Sequence, residues 1–115
     1  MRYVFERLKR AILRKNMRRG EEGAIDYTKF REFEKNNAVI LDVRSVQEYR
    51  EGHLEGAIII PEYEIRKNIE KKIENKMQLI LIYCKSGLRS KIAYDEMKKL
   101  GYMNIYYLKN GLDGI

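Results

Sequence analysis

One cysteine, one histidine and no tryptophan occur among the 115 residues. A single cysteine excludes an internal disulfide and suits a reducing compartment, so a cytoplasmic location is the expectation. No Cys/His cluster has metal-ligand spacing, and no Gly-rich nucleotide loop is present. Neither a metal nor a cofactor is therefore expected. Nowhere does an apolar run reach the length that spans a bilayer. The amino terminus is basic but lacks the continuous apolar segment of a secretory leader. Internal repeats and low-complexity segments are absent.

What remains is ordinary for one globular domain: the apolar fraction is 44%, and the length supports a real core. The charge is unevenly placed. Residues 1–20 carry eight basic side chains against Glu6 alone, so the whole net charge of +7 sits there and the other residues balance. Residues 1–19 read as a basic amphipathic helix, with Met1, Val4, Phe5, Leu8 and Ile12 at helical spacing. Gly20-Glu21-Glu22-Gly23 reads as a hinge. The expected organisation is a basic extension over 1–23 and a folded domain over 24–115.

Within that domain strands and helices alternate. Ala24-Ile25-Asp26 suggests a short edge strand. Thr28 is placed to cap a helix that Asn36-Asn37 stops. Strands are expected over Ala38–Leu41, Ala57–Ile60, Gln78–Tyr83 and Asn104–Tyr107. Ser45 is placed to cap a short helix over 46–51. Pro61 opens a helix or an extended link. Ile65, Ile69 and Ile73 at spacing four mark an exposed amphipathic helix over 62–76. Leu88–Leu100 is expected to turn Ile92, Ala93 and Met97 inward and to end at Gly101. Gly111 begins a last helical turn. The pattern predicts an α/β fold of three layers, a mainly parallel sheet of about five strands with helices on both faces.

The most informative stretch runs from Leu79 to Ser90. An apolar β-branched run ends in Cys84, a donor-rich loop follows, and a helix begins. This order puts a thiol at the carboxyl end of a buried strand and the amino end of a helix. Ligands bind at such edges, and helix amino ends stabilise a thiolate or a bound anion. Arg89 adds a fixed positive charge. The competing reading is a buried structural cysteine. Immediate succession by Lys, Ser, Gly and Arg argues against it.

The segment Cys84-Lys85-Ser86-Gly87-Leu88-Arg89-Ser90 resembles the active-site loop of the rhodanese family. Upstream, Asp42-Val43-Arg44, Glu48-Tyr49, Gly52-His53-Leu54-Glu55-Gly56-Ala57-Ile58 and Pro61 are similar to further signatures of that family. So is the ending Leu100-Gly101-Tyr102, Leu108 and Asn110-Gly111-Leu112. The pattern breaks at Asn110, which replaces a glycine, and at Ile115, where the family often has tryptophan.

The resemblance implies a three-layer rhodanese-like domain and a sulfurtransferase. Cys84 is then the nucleophile that carries a persulfide. The backbone N–H groups from Lys85 to Ser90 form the cradle, and Gly87 allows its tight turn. Lys85 and Arg89 attract thiosulfate or a similar anion. Lys85 has plain solvation as its alternative, and Ser90 a simple capping role. Asp42 and Arg44 are supporting residues, with Asp42 bonding the loop or pairing with Arg44. His53 and Glu48 are taken as structural. With no second cysteine, the sulfur passes to an outside acceptor such as cyanide, a small thiol or another protein. Two other classes remain: a non-enzymatic binding or redox-sensing module of the same fold, and a thiol phosphatase. Four residues separate Cys84 from Arg89, one fewer than in cysteine phosphatases, which disfavours the last. Retention of Cys84 with Arg89 favours the enzyme over the module. The basic segment 1–19 is expected as a docking arm or a solvated extension, with membrane-surface contact as a third reading and nucleic acid disfavoured.

Overall fold

The computed structural model describes residues 21–115. In chain order these form β1 (Ala24–Ile25), α1 (Tyr27–Glu34), β2 (Val39–Asp42), α2 (Val46–Glu51), β3 (Ile58–Ile59), α3 (Ile65–Lys72), β4 (Ile80–Tyr83), α4 (Leu88–Lys99) and β5 (Ile105–Leu108), with 3-10 turns at Glu62–Glu64 and Gly111–Gly114. The strands make one sheet in the order β1-β5-β4-β2-β3, every pairing parallel. All four residues of central β4 are buried, as a parallel strand covered on both faces requires.

Side-chain alternation divides the core into two layers. Leu41, Val43, Ile80, Ile82 and Cys84 face Ile65 and Ile69 of α3 and Ala93 and Met97 of α4. Ile40, Leu81 and Tyr83 face Phe30 of α1, with Tyr49 of α2 packed alongside. The expected three-layer α/β architecture is therefore present, and the sheet is wholly parallel. Among the described residues no helix is long and apolar enough to cross a membrane.

Local chemistry sets the element ends. Ser45 and Glu48 form a reciprocal capping box on α2, each satisfying a backbone N–H that the first turn leaves orphaned. Helix α4 closes with Gly101 at φ +97°, where Tyr102 N–H donates to Met97 O (3.1 Å) and Gly101 N–H to Lys98 O (3.0 Å). That paired closure is the Schellman pattern, and glycine permits its left-handed residue.

Several expectations move. The cap of α1 is Asp26, whose side chain accepts from Lys29 N–H at 2.8 Å, instead of Thr28. Aspartate is the better cap, and Asp26 already has extended backbone. The single helix expected over 62–76 is a 3-10 turn followed by the shorter α3. Pro61 stays extended before it, and Ile73 returns to extended backbone after it, while Ile65, Ile69 and Ile73 are buried as a stripe. Ile92 is half-exposed instead of inward, and Ser90, Ala93, Tyr94 and Met97 form the buried face. Consecutive helical residues point about 100° apart, so Ala93 and Met97 inward leave Ile92 on the flank. Strands shift by a residue or two: Ile58–Ile59, Ile80–Tyr83 and Ile105–Leu108 replace the longer or earlier spans. The segment 21–23 is tied down instead of acting as a hinge. Gly23 O accepts from Tyr107 N–H at 2.8 Å, Lys109 pairs with Glu21 at 3.0 Å, and the Tyr94 ring covers Gly23. The basic helix expected over 1–19 lies outside the described residues.

Candidate active site

Cys84 follows β4 directly, and its side chain points to the face covered by α3 and α4. The chain then reverses through Lys85-Ser86-Gly87 and enters α4. Gly87 takes φ +101°, and a Cβ there would lie 2.0 Å from Lys109 O, so only glycine fits. This turn aims two backbone N–H groups at the sulfur: Gly87 N–H donates to Sγ at 3.1 Å and Ser90 N–H at 3.3 Å. The Ser90 hydroxyl donates to Gly87 O at 3.0 Å, and its oxygen accepts from the Cys84 thiol at 3.5 Å. Ser90 therefore holds the loop closed and touches the sulfur as well. The first N–H groups of α4 have no acceptor within the helix, so the loop presents donors inward.

Its carbonyls are held outward. Leu112 N–H donates to Cys84 O at 3.0 Å, and Asp113 N–H to Lys85 O at 2.9 Å. Gly111, at φ +59°, passes so close that a Cβ would meet Lys85 O at 2.3 Å and Cys84 O at 2.6 Å. The 111–113 clamp was missed as part of the site. Its one signal was the motif Asn110-Gly111-Leu112, which reads only as a tail until β5 is seen beside β4. The Asn110 replacement leaves this clamp intact, whereas Ile115 is exposed.

The charged side chains do less for an anion than their residue types suggest. Arg89 is engaged by Glu48, with Nη1 to Oε1 at 2.6 Å and Nη2 to Oε2 at 3.1 Å. Hydrogen bonds from Arg89 hold the Glu48 carboxyl down at about 2, against the opposing effect of burial. The same pairing raises Arg89. Glu48 thus spans α2 and the loop instead of serving its own helix alone. Lys85 lies 3.8 Å from Asp113, with both side chains exposed. Leu88 is exposed, and Cys84 is wholly buried.

Asp42 and Arg44 form a separate cluster on the other face of the sheet. Asp42 registers with Tyr83, whose hydroxyl donates to it at 2.7 Å. Arg44 donates Nη2 to Asp42 at 2.7 Å and to Gly52 O at 2.6 Å, and its N–H to Asp42 at 2.9 Å. Asp42 raises Arg44. Burial, then hydrogen bonding to Asp42, raises Tyr83, against the opposing bond from Leu54 N–H. Of the two roles open to Asp42, the structure shows pairing with Arg44, which braces the strand ends beneath the loop. His53 is exposed, stacks on Tyr49 at 3.7 Å, and sets Nδ1 2.8 Å from Tyr49 O. It fixes the turn after α2.

Residues 13–115 match the family described as the rhodanese-like domain. The chain belongs to that family. A putative sulfur carrier protein, YrkF of Bacillus subtilis, is 38% identical over 73 residues, covering 64% of this chain and 38% of the relative. A tRNA uridine(34) hydroxylase of Enterobacter sp. is 32% identical over 80 residues, covering 66% of this chain and 23% of the relative. The chain thus spans about a quarter to two-fifths of the length of these curated relatives. A rhodanese-related protein of Thermoplasma volcanium superposes with TM-score 0.68 at 29% identity, covering 78% of this chain and 86% of that one. Within this rhodanese-like frame, Cys84 to Ser90 is the one described segment that surrounds a thiol with inward N–H groups.

Proposed function

We propose that this domain is a sulfurtransferase that carries sulfane sulfur on Cys84 from thiosulfate or a related donor to cyanide or a thiol. The observation that carries the reading is the pair of N–H groups on Sγ at 3.1 and 3.3 Å. They stabilise negative charge on sulfur without reorganising. In the first step the Cys84 thiol releases its proton to solvent, and the thiolate attacks the outer sulfur of the donor. A new S–S bond forms, the donor's S–S bond breaks, and its electron pair leaves with sulfite. In the second step an outside nucleophile takes the terminal sulfur, and the electron pair of the Sγ–S bond returns to Sγ. The loop N–H groups hold the anion throughout. The relative named a putative sulfur carrier fits this chemistry.

Burial of Cys84 favours one second reading, a non-enzymatic binding or redox-sensing module. Under the sulfurtransferase reading the loop mouth opens to admit the donor. The four-residue spacing to Arg89 keeps a thiol phosphatase behind both. The single cysteine supports a reducing, cytoplasmic setting. Residues 1–19 are read as a docking arm or a solvated extension of the domain.

Intact mass after incubation with thiosulfate, with and without cyanide, tests the proposal. Expected is a gain of one sulfur atom that cyanide removes and that Cys84→Ser lacks. No gain with thiosulfate or with a persulfide donor moves the weight to the binding module.

A further inference from the structure

The charged side chains around Cys84 do not single out a charged small molecule as the acceptor of its sulfur. Both cationic side chains of the loop have carboxylate neighbours, Arg89 with Glu48 at 2.6 Å and Lys85 with Asp113 at 3.8 Å. Paired charges largely cancel the field that draws an anion from a distance. Exposed apolar side chains, by contrast, collect at this edge of the sheet. Val46 opens α2 beyond β2, Tyr63 follows β3, Leu88 and Ile92 occupy the first two turns of α4, and Ile115 follows β5. Only Met77 and Met103, of the other large apolar residues exposed among those described, lie at the opposite edge. Helix α4 packs against the Glu62–Glu64 turn that carries Tyr63. The Glu48–Arg89 pair joins α4 to α2, the helix that Val46 opens. Leu88 and Ile92 stand one turn apart on α4, and exposed apolar side chains gathered at one edge mark contact with another macromolecule more than with a dissolved ion.

We propose that this patch seats a segment of another protein that presents a cysteine between apolar, uncharged residues. The inference rests on sulfur transfer through Cys84 and names its partner. The charge balance at the mouth argues for an uncharged flank, because Lys85 and Arg89 both already face carboxylates. The lone cysteine argues for an outside thiol. In the transfer, the partner thiol gives its proton to solvent and its thiolate attacks the outer sulfur of the Cys84 persulfide. One S–S bond forms, the Sγ–S bond breaks with its electron pair returning to Sγ, and the partner leaves as the persulfide. No oxidant or reductant is consumed.

Two synthetic peptides test the proposal, each with one cysteine, flanked either by Leu and Val or by Glu. Serine versions of both report docking without chemistry, by chemical-shift mapping on the full chain. The apolar serine peptide is expected to perturb Val46, Tyr63, Leu88 and Ile92. The acidic peptide, and the double variant Tyr63→Glu with Ile92→Glu, should bind about tenfold more weakly. Sulfur transfer from persulfide-loaded protein to the apolar cysteine peptide should fall about tenfold in that variant. Thiosulfate–cyanide turnover should stay within about twofold, and Met77→Glu with Met103→Glu should change neither. Equal binding or transfer with both peptides, or an unaffected double variant, overturns the docking surface. Docking of the serine peptide at the patch in a protein that never loads sulfur supports the surface and refutes the sulfurtransferase reading instead.

Discussion

Replacing Gly111 by alanine attacks the active loop from a residue that never touches the sulfur. Gly111 sits at φ +59°, and a new Cβ would meet the Lys85 and Cys84 carbonyl oxygens at 2.3 and 2.6 Å. The left-handed conformation costs a residue with a side chain about 1–2 kcal/mol. No rotamer relieves a collision between Cβ and backbone, so the turn has to retreat. That loosens the hydrogen bonds from Leu112 and Asp113 to the loop, each worth about 1 kcal/mol. The sum is a destabilisation of about 2–4 kcal/mol, read as a lower urea midpoint with unchanged slope. The freed carbonyls let the loop rotate, and the N–H groups of Gly87 and Ser90 leave the line to Sγ. Sulfur transfer should then fall by about tenfold or more, a rise of about 1.4 kcal/mol in the barrier. Gly101→Ala is the control. It has φ +97° but no atom within 4 Å of the new Cβ, so it pays backbone strain alone and keeps its activity. If Gly111→Ala matches Gly101→Ala in both stability and turnover, the clamp has no part in the site.

Glu48→Gln should remove the stability linked to its depressed carboxyl. That stability is present above the unfolded value of 4.5 and fades as pH falls towards about 2. The shift sets a ceiling of about 3 kcal/mol, and solvent screening of the pair reduces it to about 1 kcal/mol. Denaturation midpoints of wild type and variant should therefore differ at pH 7 and converge near pH 2. Asp42→Asn leaves buried Arg44 without its counter-charge and should cost about 3 kcal/mol in thermal or urea unfolding. A variant as stable as wild type would show that the pair braces nothing. Deleting residues 1–20 should leave thiosulfate turnover nearly unchanged, and a large loss would place the basic arm at the active site.

What was readable along the chain was local. The apolar run into Cys84, the Ser45–Glu48 box and the spacing of Ile65, Ile69 and Ile73 each act over a few residues. They sufficed for the parallel α/β order and for the position of the loop. Contacts made by strand order were not readable. Glu48 meets Arg89, and Asp42 meets Tyr83, because β2 lies beside β4. Gly111 meets Cys84 because the chain after β5 crosses the end of β4. Burial of Cys84 escaped for the same reason, since the polar residues after it suggested an open loop. Ile92 failed differently: hydrophobicity alone placed it inward, but α4 has one buried face and Ser90 took a place on it.

Strand order also bears on how the domain comes into being on the ribosome. β1 emerges first, yet its only neighbour in the sheet is β5. It stays an unpaired edge until the last strand has been made. The active loop waits longer still, because its two outward carbonyls are capped only by Leu112 and Asp113. Until those caps dock, Cys84 lacks its finished cradle, and an ordinary thiol is open to adventitious oxidation. Vectorial synthesis favours elements that close early, and this fold completes its chemistry with its final turn. A released chain truncated before Gly111 should therefore hold most of the sheet and a solvent-reactive Cys84.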